Sequence, residues 1–154
     1  MQKALIYSNT RSYTEAAQTY LRALELEASN KDAILNLAEA YILNKQNQSS
    51  DEHIEKYKSY FDGPNGNQAK KLFSVLKAYN NDDNTQLIID IKNQIDSSNL
   101  IEKKERFDSW GLAESLDYIE HNEDSITKKN VKHYYDYLLG KISGTELSES
   151  LITA

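Results

Sequence analysis

The residues of this chain that could do chemistry are few, and their spacing matches no common catalytic or metal-binding motif. His53 and Glu55 form a His-x-Glu pair, which in zinc deaminases is joined by a Cys-x-x-Cys that a chain without cysteine lacks. His121 and His133 have no second ligand at metal-binding spacing. The acidic stretch 82–84 has neither the spacing nor the glycine of a calcium loop. We therefore predict a protein that is not an enzyme, with no catalytic residue, metal or cofactor.

Composition limits the class of protein further. The chain has 154 residues, of which 39% are hydrophobic, and it contains one proline and five glycines, as a mostly helical globular protein requires. Its net charge of −6 argues against nucleic-acid binding, and no apolar run is long enough to span a membrane. The absence of cysteine fits the cytoplasm, although an export signal upstream of Met1 would change this prediction. Richness in Asn, Lys, Ile and Tyr suggests a bacterial source.

Acidic side chains are concentrated in one stretch of the second half. Six acids and no lysine or arginine lie between Arg106 and Lys128. Three of them fall on adjacent turns of a predicted helix, and we call Glu114, Asp117 and Glu120 the acidic patch. Such a patch could attract a basic partner at low salt, and it could equally be a solvated helix face.

Apolar residues recur at helical spacing along the chain, and polar or glycine-containing stretches separate them. Asn44–Ser50 is predicted to be a loop, and Asp62–Gly66 is the strongest helix breaker. Eight helices are predicted, at about 13–26, 32–44, 54–61, 68–79, 87–95, 102–121, 127–139 and 146–152. We expect an all-α fold in which antiparallel helix pairs stack as a short right-handed α-solenoid. It would form one domain over 1–154, with clear repeats over 1–99 and a degenerate repeat or helical cap over 100–154.

An internal repeat supports this architecture. Ala4-x-x-Tyr7 is followed by Ala38-x-x-Tyr41, 34 residues later. The segment Leu37–Tyr41 is echoed by Val75–Tyr79 and more weakly by Leu112–Leu116. A period of this size is typical of solenoids, whose surfaces bind partner proteins.

At these positions the chain resembles the tetratricopeptide repeat family. The resemblance is good over 4–44, fair over 68–97 and weak beyond, with Ala38 in place of the usual glycine. It implies close helix packing around small residues and aromatic rings. The matching residues are Ile34, Leu37, Ala38 and Tyr41 on the first helix of a pair, and Ala16, Tyr20 and Ala23 on the second.

The resemblance also implies a concave groove that holds a peptide or helix of a partner protein, and hence an adaptor or scaffold function. One subclass of the family binds the C-terminal carboxylate of a partner through side chains at five set positions. Two of these five positions match here, so we do not expect this chain to bind such a carboxylate. The apolar residues of this groove are expected to be exposed anchors, unless they pack against a neighbouring helix pair. They are Leu35, Ile42, Leu43 and Phe73. Glutamate at Leu35 and Phe73 should then abolish binding and leave the helices intact. The groove residues are Leu35, Asn36, Glu39, Ile42, Leu43, Lys70, Phe73 and Lys77.

Two other functions remain open at this point. The acidic charge is also typical of a small inhibitor, an immunity protein or a secretion chaperone that occludes one basic target. The third alternative is a structural fragment of a longer array with no binding site of its own. Met1 aligns with the fifth position of a repeat, so either the chain is a C-terminal piece of a longer array or its first helix is a short natural cap.

Aromatic residues of the second half give two more expectations. Trp110 with Phe107 is either an interface anchor or core. On the helix 127–139, Tyr134 and Tyr137 share one face and Tyr135 lies on another. We expect one of these tyrosines to be exposed.

Overall fold

The structure, a computed structural model, describes residues 13–96, 112–122 and 124–153. Every regular element in these residues is an α-helix, which confirms the all-α prediction for this part of the chain. The chain divides into two compact units, Met1–Phe73 and Ser74–Ala154. The helices are α1 (Tyr13–Leu26), α2 (Lys31–Leu43), α3 (Asn47–Lys56), α4 (Lys58–Phe61), α5 (Pro64–Asn80), α6 (Asn84–Asp96), α7 (Leu112–Glu120), α8 (Ile126–Leu138) and α9 (Gly144–Ser150).

In the first unit, α1 and α2 form a helical hairpin. The short connection between them ends at Asn30, whose side chain accepts a hydrogen bond from the Ala33 N–H (3.1 Å) and caps α2. Ala16 and Tyr20 of α1 are buried, and α1 packs on α2. Small residues at such positions let two helix axes approach closely.

Helix α2 is buried on nearly all sides. Nine of its thirteen residues are buried, and α1 and α3 both pack against it. Ser50 of α3 donates a hydrogen bond to the Ala38 carbonyl (3.0 Å), and His53 Nε2 donates to the Ile34 carbonyl (2.7 Å). Most of the surface of α2 is therefore covered by the protein itself.

The predicted loop over 44–50 is wrong, because α3 begins at Asn47. Lys45 adopts a left-handed backbone (φ 61°), and the Gln46 N–H donates to the Tyr41 carbonyl (2.8 Å). The chain therefore reverses within a few residues, and the polar residues that follow form the first turn of a helix.

Helix α5 also begins earlier than the sequence predicts, at Pro64. Proline is favoured in the first turn of a helix, where its missing N–H needs no partner. Gly66 lies against the backbone of α4, and a Cβ added there would be 2.3 Å from Phe61 Cα and 2.4 Å from the Tyr60 carbonyl oxygen. The glycine therefore allows α4 and the start of α5 to pack closely.

In the second unit, α8 packs against α6, α7 and α9. Tyr134, Tyr135 and Tyr137 are all buried, so the expectation of an exposed tyrosine is wrong. The reason is that α8 has neighbours on several sides. The Tyr135 hydroxyl donates to Ser115 Oγ and the Tyr134 hydroxyl to Gln94 Oε1, each at 2.6 Å.

Helix α7 is fixed to its surroundings through Tyr118 and at its C-terminal end. Tyr118 packs edge-on against Tyr79, and its hydroxyl donates to Asn80 Oδ1 (2.7 Å). The buried Lys128 donates from Nζ to the carbonyls of Glu120 (3.1 Å) and Asn122 (2.9 Å). A cation there is favourable, since the carbonyl end of a helix carries partial negative charge.

Helix α9 begins with a capping box, in which Ser143 Oγ accepts from the Glu146 N–H and the Glu146 carboxylate accepts from the Ser143 N–H. It ends at Ser150, two residues earlier than predicted, and Leu151 is extended (φ −68°, ψ 131°). No helix in the described residues combines the length and apolarity that a membrane span needs. The predictions at Ala4–Tyr7, 102–111, Phe107 and Trp110 lie outside these residues.

Candidate functional site

The second unit holds a short segment of its own chain, which begins with the extended residue Leu151, through side-chain hydrogen bonds. We call residues 151–153, which follow α9, the docked segment. Asn130 of α8 contacts it with both atoms of its side-chain amide. Asn130 Oδ1 accepts from the Ile152 N–H (2.8 Å), and Asn130 Nδ2 donates to the Ile152 carbonyl (2.8 Å).

Asn84, the first residue of α6, completes this site. Its Nδ2 donates to the same Ile152 carbonyl (3.0 Å), and its Oδ1 accepts from Asn130 Nδ2 (2.7 Å). Both Asn130 amide hydrogens therefore have acceptors, and the two main-chain groups of Ile152 have three hydrogen bonds in total. We call Asn84 and Asn130 the asparagine clamp.

The connection between α5 and α6 brings the two asparagines together. Asp82 adopts a left-handed backbone (φ 51°), and Asp83 caps α6 by accepting from the Gln86 N–H (3.1 Å). Thr127 in the first turn of α8 donates to Asp82 Oδ1 (2.7 Å). The starts of α6 and α8 are thus tied together beside the clamp.

The clamp can recognise an extended peptide through its main chain. The side-chain amide of Asn130 offers an acceptor and a donor side by side, as the peptide group of a neighbouring β-strand does. Asn130 is 0% exposed, which strengthens its hydrogen bonds and makes an unfilled clamp costly. By contrast, the Ile152 side chain is 37% exposed, so the contact depends mainly on the backbone.

The apolar groove residues are not exposed anchors. Their exposed fractions are small, so the expectation that they are exposed is wrong: 6% for Leu35, 0% for Ile42, 3% for Leu43 and 1% for Phe73. Three of them belong to α2, whose neighbours α1 and α3 leave little of its surface open. They belong to the protein core, as the alternative interpretation of these residues required.

The polar groove residues differ among themselves. Glu39 is buried, whereas Asn36, Lys70 and Lys77 are partly exposed. Lys70 Nζ lies 3.4 Å from Asp62 Oδ1 in a salt bridge between partly exposed side chains. Whether any of these positions binds a partner stays a prediction.

The acidic patch is partly neutralised by nearby bases. Lys132 Nζ lies 2.8 Å from Glu120 Oε1, and its hydrogen bond and charge lower the pKa of this carboxyl. Asp117 lies 3.3 Å from His121 Nδ1. The side chain of Glu114 lies outside the described residues. The negative field at this face is therefore weaker than the acids alone suggest.

Of the His-x-Glu pair, His53 is part of the core and Glu55 is exposed. His53 is buried beside the rings of Tyr41, Tyr57 and Phe61. Burial lowers its pKa, which favours the neutral ring that donates to Ile34. In the described part of the chain, no group of three or more His, Asp or Glu side chains is placed to hold a metal ion.

Sequence reasoning missed the asparagine clamp. Asn84 was considered only as part of an acidic stretch, and Asn130 was not considered. One signal was present: Asn130 and Tyr134 lie four residues apart on one face of the predicted helix 127–139. A polar amide on an apolar face needs hydrogen-bond partners, although sequence alone does not say that they come from Ile152.

Comparison of this chain with protein-family models, curated proteins and solved structures finds no match.

Proposed function

We propose that this protein is a non-catalytic adaptor that holds an extended peptide segment of a partner protein. The observation that carries the proposal is the asparagine clamp, in which the buried amide of Asn130 engages both main-chain groups of Ile152. Main-chain hydrogen bonds of this kind supply affinity when an extended peptide adds to a protein surface. The binding face in this proposal is the clamp rather than the apolar residues of α2.

We further propose that the helices follow the tetratricopeptide-like pattern of stacked antiparallel pairs. The hairpin of α1 and α2 supports this, because Ala16, Tyr20 and Ala38 are buried where the second helix of one repeat would pack against the first helix of the next. The packing of α3 on α2 also agrees with stacking. The right-handed solenoid is the arrangement that we propose for the whole array.

The inhibitor, immunity-protein or secretion-chaperone function has less support. It required an open acidic face, yet Glu120 pairs with Lys132 and Asp124 lies 3.4 Å from Lys128 Nζ. A basic target would have to compete with these bases for the same carboxylates.

The test is a selection of displayed random peptides on the full chain, followed by affinity measurements on the selected peptides. We expect binding that Asn130→Ala weakens at least tenfold and that Asn93→Ala, at an exposed position of α6, leaves unchanged. Methylation of the peptide nitrogen that takes the place of the Ile152 nitrogen should abolish binding, since it removes the N–H that donates a hydrogen bond to Asn130 Oδ1. Failure to select any specific peptide would refute the adaptor function.

A further inference from the structure

We infer that the docked segment occupies the peptide site in cis, and that a partner peptide binds by displacing it. This inference rests on the proposed function, and it adds the class of ligand and the regulation of the site. The ligand is an extended segment with a main-chain N–H at the position of Ile152, so proline is excluded there.

The geometry supports an exchange because the hydrogen bonds that the structure shows from the clamp to the docked segment are made to main-chain groups. The bonds from Asn84 and Asn130 all end on the main chain of Ile152, and any extended residue other than proline offers the same two groups. The Ile152 side chain is partly open, so its identity adds little. A peptide in trans can therefore replace each bond without loss.

The chain also holds the docked segment in a way that allows release. Helix α9 packs against α8 and α6 and buries Leu147, and these contacts are separate from the bonds at Ile152. The docked segment can therefore leave the clamp while α9 stays in place. Water would then enter the clamp. Because the open clamp costs free energy, the docked segment fills it when no partner peptide is bound.

The consequence for affinity is a competition. A segment tethered through α9 stays at an effective concentration in the millimolar range, as for other short linkers. A weak free peptide is then excluded, and a partner must bind with more than the main-chain bonds alone. The cis occupant thus sets an affinity threshold, which a partner peptide exceeds only through contacts outside the clamp.

The test uses the full chain and the variant Ile152→Pro. This variant removes the N–H that donates a hydrogen bond to Asn130 Oδ1 but keeps the length of the chain. The probe is a labelled synthetic peptide with the sequence of residues 148–154, measured by fluorescence anisotropy. We expect the variant to bind this peptide at least tenfold more tightly than the unmodified chain does. A peptide methylated at the nitrogen of its isoleucine should bind neither protein.

A second measurement does not depend on how well the variant folds. Hydrogen exchange at the Ile152 amide of the unmodified chain is followed while a peptide from the selection above is added. Displacement predicts at least tenfold faster exchange at this amide, with the Leu147 amide unchanged as the control.

The outcomes separate this inference from the proposed function. If selected peptides bind but Ile152 exchange does not rise and Ile152→Pro gains nothing, the cis occupancy is overturned and the adaptor function stands. If no peptide binds either protein, both are overturned, and the clamp is only an anchor for the docked segment.

Discussion

Asn130 and Ile152 are 22 residues apart in the chain, yet one side-chain amide holds both main-chain groups of the isoleucine at 2.8 Å. The hydrogen bonds are reciprocal, and the amide is buried. The contact fixes the docked segment to α8. It also gives hydrogen-bond partners to a polar side chain that α8 buries in the protein core.

We expect Asn130→Ala to destabilise the second unit by about 1–3 kcal/mol, because it leaves the Ile152 N–H and Asn84 Oδ1 without their bonds to Asn130. Urea unfolding followed by circular dichroism measures this. Asn93→Ala removes an exposed amide from α6 and should change stability by less than about 0.5 kcal/mol. Equal stability of the two variants would mean that the clamp contributes nothing to folding.

Much of the helical architecture follows from the sequence, and the exceptions have physical causes. The period of apolar residues predicts α1, α2, α6 and α8 to within a few residues, since these helices bury a regular face. The start of α3 was missed because its first turn is polar and follows a left-handed turn at Lys45. Sequence does not reveal that a helix is covered on several sides, and so it predicted exposed anchors on α2.

The buried groove residues lead to a second prediction. Leu35→Glu and Phe73→Glu each place a carboxylate in the core, and each should cost at least about 2 kcal/mol of stability. The double variant should therefore lose helix content, contrary to the expectation for an exposed groove. Leu26→Glu is the control, since Leu26 is 90% exposed and its replacement should be tolerated. Native helix content in the double variant would restore the groove.

Gly66 gives a prediction in which a normally favourable change becomes harmful. Gly→Ala inside a helix usually stabilises it by about 1 kcal/mol. At Gly66 the new Cβ would lie 2.3 Å from Phe61 Cα, so we expect overpacking to cost about 1–3 kcal/mol instead. Gly63→Ala meets only the Tyr60 carbonyl at 3.3 Å and should be milder. Thermal melts compare the two variants, and a stabilised Gly66→Ala protein would contradict the close approach.

His53 should make the stability depend on pH. Burial lowers its pKa in the folded protein below the ordinary 6.5, with nearby Lys56 acting in the same direction. Below pH 6.5 the unfolded chain therefore binds more protons at this residue than the folded chain does, and stability falls as the pH drops. Urea midpoints between pH 5 and 8 measure the slope.

The variant His53→Gln keeps a donor for the Ile34 carbonyl but cannot titrate. It should flatten this part of the pH profile. An unchanged profile would assign the slope to other groups.

Tyr135 and Ser115 should be energetically coupled. Their hydroxyls are 2.6 Å apart and both side chains are 0% exposed. Tyr135→Phe should cost about 0.5–1.5 kcal/mol by itself. In a double-mutant cycle with Ser115→Ala, we expect a coupling of at least about 0.5 kcal/mol. If the effects of the two single substitutions add up to the effect of the double substitution, the contact contributes no coupling free energy.

The buried tyrosines of the second unit also make the protein sensitive to base. Burial raises the pKa of Tyr79 to about 12 and raises the pKa of Tyr118 and Tyr134 above the ordinary value of 10.0. Above pH 10.0 the unfolded chain releases these protons while the folded chain retains them, so the free energy of unfolding decreases as the pH rises. Tyrosinate absorbance from these rings should then appear together with the loss of helix. Alkaline titration thereby becomes an unfolding transition with its own optical signal.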